Sequence, residues 1–175
     1  MLPHRPIALV GLSGTGKSSV GQVLAAQLGW PLLDTDALIV QTSGRDIAQI
    51  FAAEGEARFR DLESAALRTA LESASAIVAT GAGVVLRAEN RDLLRERALV
   101  AWLDAPTTEL IARLRAHDEA RPLLQGDDPA ARLQALRISR AALYAEVADI
   151  RIATDGRAIE HICHDLLALL SEIQH

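Results

Sequence analysis

Residues Gly11-Leu12-Ser13-Gly14-Thr15-Gly16-Lys17-Ser18 fit the spacing G-x-x-x-x-G-K-[ST] with no position forced. Glycines at these places let the backbone turn its N–H groups toward a phosphate, and a helix N-terminus just beyond adds partial positive charge. Lys17 can then reach β- and γ-phosphates, and Ser18 can offer its hydroxyl to Mg²⁺. Lys17 is the single lysine of the chain, which suits a functional position better than a surface charge. The chemistry expected is binding of a nucleoside triphosphate.

Other residue types that could do chemistry are spread along the chain. Asp34-Thr35-Asp36 places two carboxylates after an apolar run; such a pair suits ligand binding at a strand end, and equally a turn with a helix cap. Thr80-Gly81-Ala82-Gly83 follows another apolar run and could present backbone N–H groups to a second anion, or simply turn the chain. Arg58 and Arg60 fall in the first turn of a helical pattern, where two solvent-facing arginines are an adequate reading. His161, Cys163 and His164 resemble metal ligands, but Cys163 belongs to an apolar stripe of Ile159, Ile162, Leu166, Leu169 and Ile173. The histidines therefore face away from the cysteine, and the group reads as structural.

The elements that must position these residues alternate regularly. Short apolar runs at 6–10, 31–33, 76–79, 98–103 and 150–153 read as buried strands. Helical spacing fills the intervals: 18–28, a stretch to about 41, a short helix over 47–51 closed by Gly55, and 56–73. Further helices are expected over 90–97, from Pro106, over 129–148 and from Ala158. Strands alternating with helices imply an α/β fold with a parallel sheet covered on both faces. Residues about 115–128 are charged, contain Arg121-Pro122 and Gly126, and lack apolar periodicity, as a mobile lid or a surface loop would.

With 175 residues and half of them hydrophobic, the chain is long enough for one domain with a real core. Its formal charge of −5 and scattered arginines argue against a nucleic-acid partner. Cys163 is the only cysteine, so no internal disulfide can form. The first strand begins by about residue 6, leaving no room for a signal peptide, and no apolar run approaches the ~20 residues of a membrane span. A soluble, cytoplasmic protein is expected.

Taken in order, G-L-S-G-T-G-K-S, D-T-D, G-E-A-R-F-R, A-T-G-A-G, R-P-L-L and R-A-A-L-Y resemble the shikimate kinase family over nearly the whole chain. The resemblance implies a P-loop kinase of the nucleoside-monophosphate-kinase type. Its parallel sheet would have five strands in the order 2-3-1-4-5, with helices on both faces and a mobile lid. A single domain over 1–175 would carry its shikimate-binding region at about 34–62. The implied reaction is transfer of a phosphoryl group from ATP to the 3-hydroxyl of shikimate.

Carried over position by position, Gly14, Thr15, Gly16, Lys17, Ser18 and Ser19 would hold the ATP phosphates, and Asp34 would support Mg²⁺ through its water shell. Asp36 would hold the shikimate hydroxyls and orient or deprotonate the attacking one. Arg60 and Arg140 match the pair that grips the shikimate carboxylate, whereas Arg58 does not. Gly81, Ala82 and Gly83 would add backbone donors. Arg121 corresponds to the lid arginine that meets the transferring group, and Arg113 to the residue stacked on adenine, although the segment between them is one residue longer than usual. The resemblance also suggests a monomer.

One position departs from the family pattern: Ala82 stands where the middle glycine of three is usual. Alanine is expected at negative φ there, with Gly81 and Gly83 supplying whatever unusual dihedrals the turn needs. Two other functions fit parts of the sequence. One is a kinase of another small hydroxy acid such as gluconate; the other is a kinase-like ligand sensor without turnover.

Overall fold

A computed structural model describes residues 5–116 and 128–173. The sheet contains β1 (Ile7–Val10), β2 (Leu32–Asp34), β3 (Ile77–Ala79), β4 (Leu99–Asp104) and β5 (Ile150–Ala153). All strands are parallel, and their order is β2-β3-β1-β4-β5, as the family resemblance implies. Ile7 of the central strand stands opposite Ile77 on one side and Leu99 on the other, so their side chains share one face of the sheet.

Strand alternation then divides the interior in two. Ile7, Leu9, Leu99, Ala101 and Leu103 face α1 (Lys17–Leu28) and α7 (Ile159–Glu172). Ala8, Val10, Val78, Val100 and Trp102 face the opposite layer. That layer holds α3 (Ile47–Ala70), α4 (Ala88–Arg97), α5 (Thr107–Ala116) and α6 (Pro129–Val147). Ile, Val and Leu on both faces explain why the runs read as unbroken apolar segments rather than as alternating ones. α2 (Thr35–Ser43) packs with α3 in a smaller cluster around Ile39, Ile50 and Phe59.

The break foreseen at Gly55 is present: its φ of 80° and ψ of 177° lie outside the helical region, so the span Ile47–Ala70 is two helices meeting at a kink there. Other details move. A 3₁₀ turn over Val84–Leu86 was not visible as a period, because three residues make no pattern. In α7, Leu170 is fully buried while Leu169 and Ile173 are exposed, so the stripe rotates by one residue toward the end of the helix. Cys163 is buried with its thiol against the Val20 carbonyl, and both histidines point outward. No described helix is long and apolar enough to cross a membrane. The segment 117–127, with most of the expected lid and Arg121, lies outside the described residues.

Candidate functional site

All five strands end on one edge of the sheet, and the chain leaves each end through a polar or glycine residue. An open cleft of about 630 Å³ lies across these ends. Open α/β sheets bind ligands at this edge, where helix N-termini and loop backbones gather.

At one end of the cleft is the loop between β1 and α1. Gly11, Gly14 and Gly16 all have φ between 86° and 144°, which other residues rarely adopt. A side chain at Gly11 would fall on the Leu103 carbonyl oxygen, so space as well as dihedral requires glycine there. Lys17 folds across the loop, its Nζ donating to the Gly11 and Leu12 carbonyls at 2.8 Å each. Gly14, Thr15, Gly16, Ser18 and Ser19 line the cleft beside it. The Thr15 side chain is turned inward, donating to the Leu12 carbonyl at 2.8 Å, which leaves its backbone as the part facing the cleft.

Arg113 of α5 braces this loop from the other side. Its Nη1 donates to the Gly14 carbonyl at 3.2 Å and to Thr154 Oγ1 at 3.0 Å; its Nη2 donates to the Thr154 carbonyl at 2.6 Å. These bonds lie along the edges of the guanidinium. Its flat faces are the part suited to stacking on an aromatic base.

The D-T-D segment makes the helix cap and also lines the cleft. Asp34 ends β2 and caps α2, its Oδ1 accepting from the N–H groups of Asp36 at 2.9 Å and Ala37 at 3.1 Å. Thr35 is buried and accepts from the Gly81 N–H at 3.1 Å. Asp36 faces the cleft. Its Oδ1 is buried and has no hydrogen-bond donor among the described residues.

The far wall of the cleft is the turn Gly81-Ala82-Gly83, where residues distant in sequence converge. No described residue other than glycine has positive φ, so Ala82 sits in an ordinary conformation, as expected. The expectation for its neighbours is corrected: neither Gly81 nor Gly83 has positive φ. Space is what they provide. A Cβ on Gly81 would lie 2.9 Å from Glu63 Oε1 and 3.1 Å from Asp36 Oδ1, and one on Gly83 would fall inside the Arg60 guanidinium. The Gly81 N–H is bonded to Thr35, which leaves Ala82 and Gly83 as the turn's candidate donors. Arg140 of α6 donates to the Ala82 carbonyl at 3.2 Å. Arg60, whose side chain is 14% exposed, donates to Glu63 Oε2 at 2.7 Å, while Arg58 points outward to Glu54.

Burial dominates the electrostatics of this end. It pushes Asp36 up to about 6, with the Asp34 and Glu63 carboxylates adding to the rise and Lys17 and Arg60 opposing it. Burial also raises Glu63 above the usual carboxylate range, although the Arg60 hydrogen bond pulls the other way. Glu63 was not singled out by sequence reasoning. The signal was present: it lies four residues from both Phe59 and Leu67, so it is a carboxylate on the apolar stripe of α3. Thr154 was missed likewise, as a buried hydroxyl at the end of β5.

Among the described residues, no group of three or more His, Cys, Asp or Glu side chains is gathered to hold a metal. Ser18 and Asp34 line the same cleft and offer hard oxygen donors. Such a sparse oxygen set fits Mg²⁺, which keeps most of its waters and is held largely through substrate phosphates.

Comparison with known proteins agrees with this geometry. The family model described as shikimate kinase matches residues 13–171. The shikimate kinase of Symbiobacterium thermophilum is 45% identical over 167 residues, covering 95% of this chain and 96% of that one. The structure of shikimate kinase from Acinetobacter baumannii in complex with shikimate superposes with a TM-score of 0.91 at 37% identity, covering 98% of this chain and 94% of that one. A gluconokinase from Sinorhizobium meliloti 1021 reaches 0.59 at 19% identity, covering 99% and 95%, which is a likeness of fold alone.

Proposed function

The chain belongs to the shikimate kinase family, and from that premise we propose that it transfers the γ-phosphoryl group of ATP to the 3-hydroxyl of shikimate. The products are shikimate 3-phosphate and ADP. The observation that carries this reading is the convergence of Asp36, Arg60 and Arg140 on the turn 81–83, across the cleft from Lys17. One end of the site suits a polyphosphate. The other combines two arginines for a carboxylate with one aspartate for hydroxyls.

Phosphoryl transfer passes through a loose transition state, so positioning and charge neutralisation dominate. Backbone N–H groups of Gly14 to Ser19 hold the phosphates, and Lys17 exchanges its loop carbonyls for phosphate oxygens. Ser18 directly, and Asp34 through water, would hold Mg²⁺, which supplies positive charge to the phosphates when bound. Arg113 stacks its guanidinium on adenine, and Arg121, from the proposed lid, meets the transferring group.

Asp36 accepts the proton of the attacking hydroxyl. A carboxyl group pushed up to about 6 is ionised at neutral pH yet basic enough to draw that proton. Its Oδ1, which has no donor among the described residues, accepts from an acceptor hydroxyl. Arg60 and Arg140 clasp the acceptor carboxylate, because guanidinium forks match its two oxygens. The enzyme acts as a cytoplasmic monomer of one domain.

A coupled assay of ADP release, with and without shikimate, tests the reading. A shikimate-dependent rate at least a hundredfold above the background, and absent with gluconate, is expected; such a factor is roughly 3 kcal/mol of barrier. Equal rates with and without shikimate would favour the sensor, and turnover with gluconate alone would favour the other kinase.

A further inference from the structure

Tyr144 lies one helical turn beyond Arg140 on α6, so the two side chains leave the same face of the helix. Both reach the same atom. Tyr144 Oη donates to the Ala82 carbonyl at 2.5 Å, and Arg140 Nη1 donates to it at 3.2 Å. A carbonyl oxygen has two lone pairs, so the two bonds are compatible.

Their mobility differs. The Tyr144 ring is 1% exposed and stacked on Trp102 of β4, with ring centroids 5.7 Å apart. Two dihedrals and a packed neighbour fix its hydroxyl in place. The Arg140 guanidinium sits on a long flexible stem that loses rotamer freedom whenever it is held. It can leave Ala82, and the carbonyl keeps a donor when it does. Burial pushes the Tyr144 hydroxyl up to about 12, so it remains a donor throughout the working pH range.

We propose that Tyr144 is a positioning residue for the acceptor: it holds the Ala82 carbonyl so that Arg140 is released to the acceptor carboxylate. The proposal rests on the shikimate kinase reading of the site. Tyr144 touches no reacting atom and acts through Ala82 and Arg140. Without its hydroxyl, Arg140 is the remaining donor among the described residues for a carbonyl at the wall of the cleft. Leaving that carbonyl unpaired would oppose the move to substrate.

Tyr144→Phe tests this, since it removes one oxygen and keeps the ring. The KM for shikimate should rise about five- to tenfold, the worth of one hydrogen bond, with the KM for ATP within about twofold. In an Arg140→Lys background the same change should add less than about twofold, because both substitutions act on one contact. An unchanged KM for shikimate, a parallel rise in both KM values, or an undiminished effect beside Arg140→Lys would overturn the proposal.

Should Tyr144→Phe fail to fold, a fluorine label decides. Tyr144 is the only tyrosine, so uniform 3-fluorotyrosine gives a single ¹⁹F resonance. Shikimate should shift that resonance and ADP should not; indifference to shikimate would overturn the proposal. Failure of the functional reading is distinguishable, because wild-type protein would then show no shikimate-dependent ADP release.

Discussion

Gly81, Ala82 and Gly83 sit side by side with ordinary dihedrals, yet they tolerate different substitutions. Ala82→Gly removes nothing from a strained backbone and only loosens the unfolded chain. It should lower stability by about 0.4–1 kcal/mol and change the KM for shikimate less than threefold. Gly83→Ala places a methyl group in the Arg60 guanidinium. Arg60 must then move, and the KM for shikimate should rise more than about tenfold while that for ATP stays within about twofold. Thermal unfolding and steady-state kinetics on the pair check both outcomes.

Asp36 gives the other residue-scale prediction. Its pKa rises from 3.8 to about 6 on folding, so the folded state holds that proton more tightly than the unfolded chain. Below the lower value the carboxyl is protonated in both states and costs nothing. The cost grows between the two values and is complete above the higher one. Asp36→Asn should therefore be more stable than wild type at neutral pH by about 1–3 kcal/mol, with the gain gone near pH 4. Denaturant titrations in Mg²⁺-free buffer across that range measure it. A constant gain at all pH values would assign the effect to packing instead.

At the scale of elements, α2 carries Asp36 and α3 carries Arg60, and two glycines shape these helices differently. Gly44 ends α2 in the left-handed region, at φ 66° and ψ 17°, where asparagine also fits. Gly55 bends α3 at φ 80° and ψ 177°, a region open to glycine alone. Neither has an atom within 4 Å of a hypothetical Cβ, so dihedral cost is isolated from crowding. Gly44→Asn should cost less than about 0.5 kcal/mol, and Gly55→Asn about 1–3 kcal/mol, in equilibrium unfolding. Sequence periodicity located both helices of α3 and the break between them. It could not show the angle at which the second helix leaves that break, because glycine signals interruption without direction.

At the scale of the molecule, ion pairs tie the sheet edge to the helices around the cleft. Asp104 ends β4, is 6% exposed, and accepts from Arg137 of α6 at 3.0 Å and Arg151 of β5 at 2.5 Å. The backbone carbonyl of Asp104 accepts from the Thr154 N–H at 2.8 Å, and Thr154 in turn meets Arg113 and the Thr15 carbonyl. Burial pushes the Asp104 carboxyl up, but the two arginines outweigh it and hold it below the usual range. Its stabilisation is present above the ordinary carboxylate pKa and is lost as pH falls through the depressed one. Asp104→Asn should cost about 1–3 kcal/mol at neutral pH and progressively less in acid, read from unfolding midpoints.

What the sequence determined by itself was whatever depends on neighbours along the chain. Strand and helix periods, the phosphate loop and the D-T-D turn are local patterns, and five apolar runs separated by helices leave little choice but a parallel sheet. The order of the strands was legible only through family resemblance, and so are the roles proposed for Asp36, Arg60 and Arg140. The tertiary structure decided what depends on approach between remote segments. Glycine is needed at 81 because Glu63 and Asp36 crowd it, and at 83 because Arg60 does. Glu63 is a buried carboxylate because the opposite arginine makes burial tolerable. Tyr144 reads as core in sequence, and only the folded chain brings its hydroxyl to Ala82, 62 residues away. Such contacts carry no period and no spacing, since their distances are set by packing across the sheet rather than along the backbone.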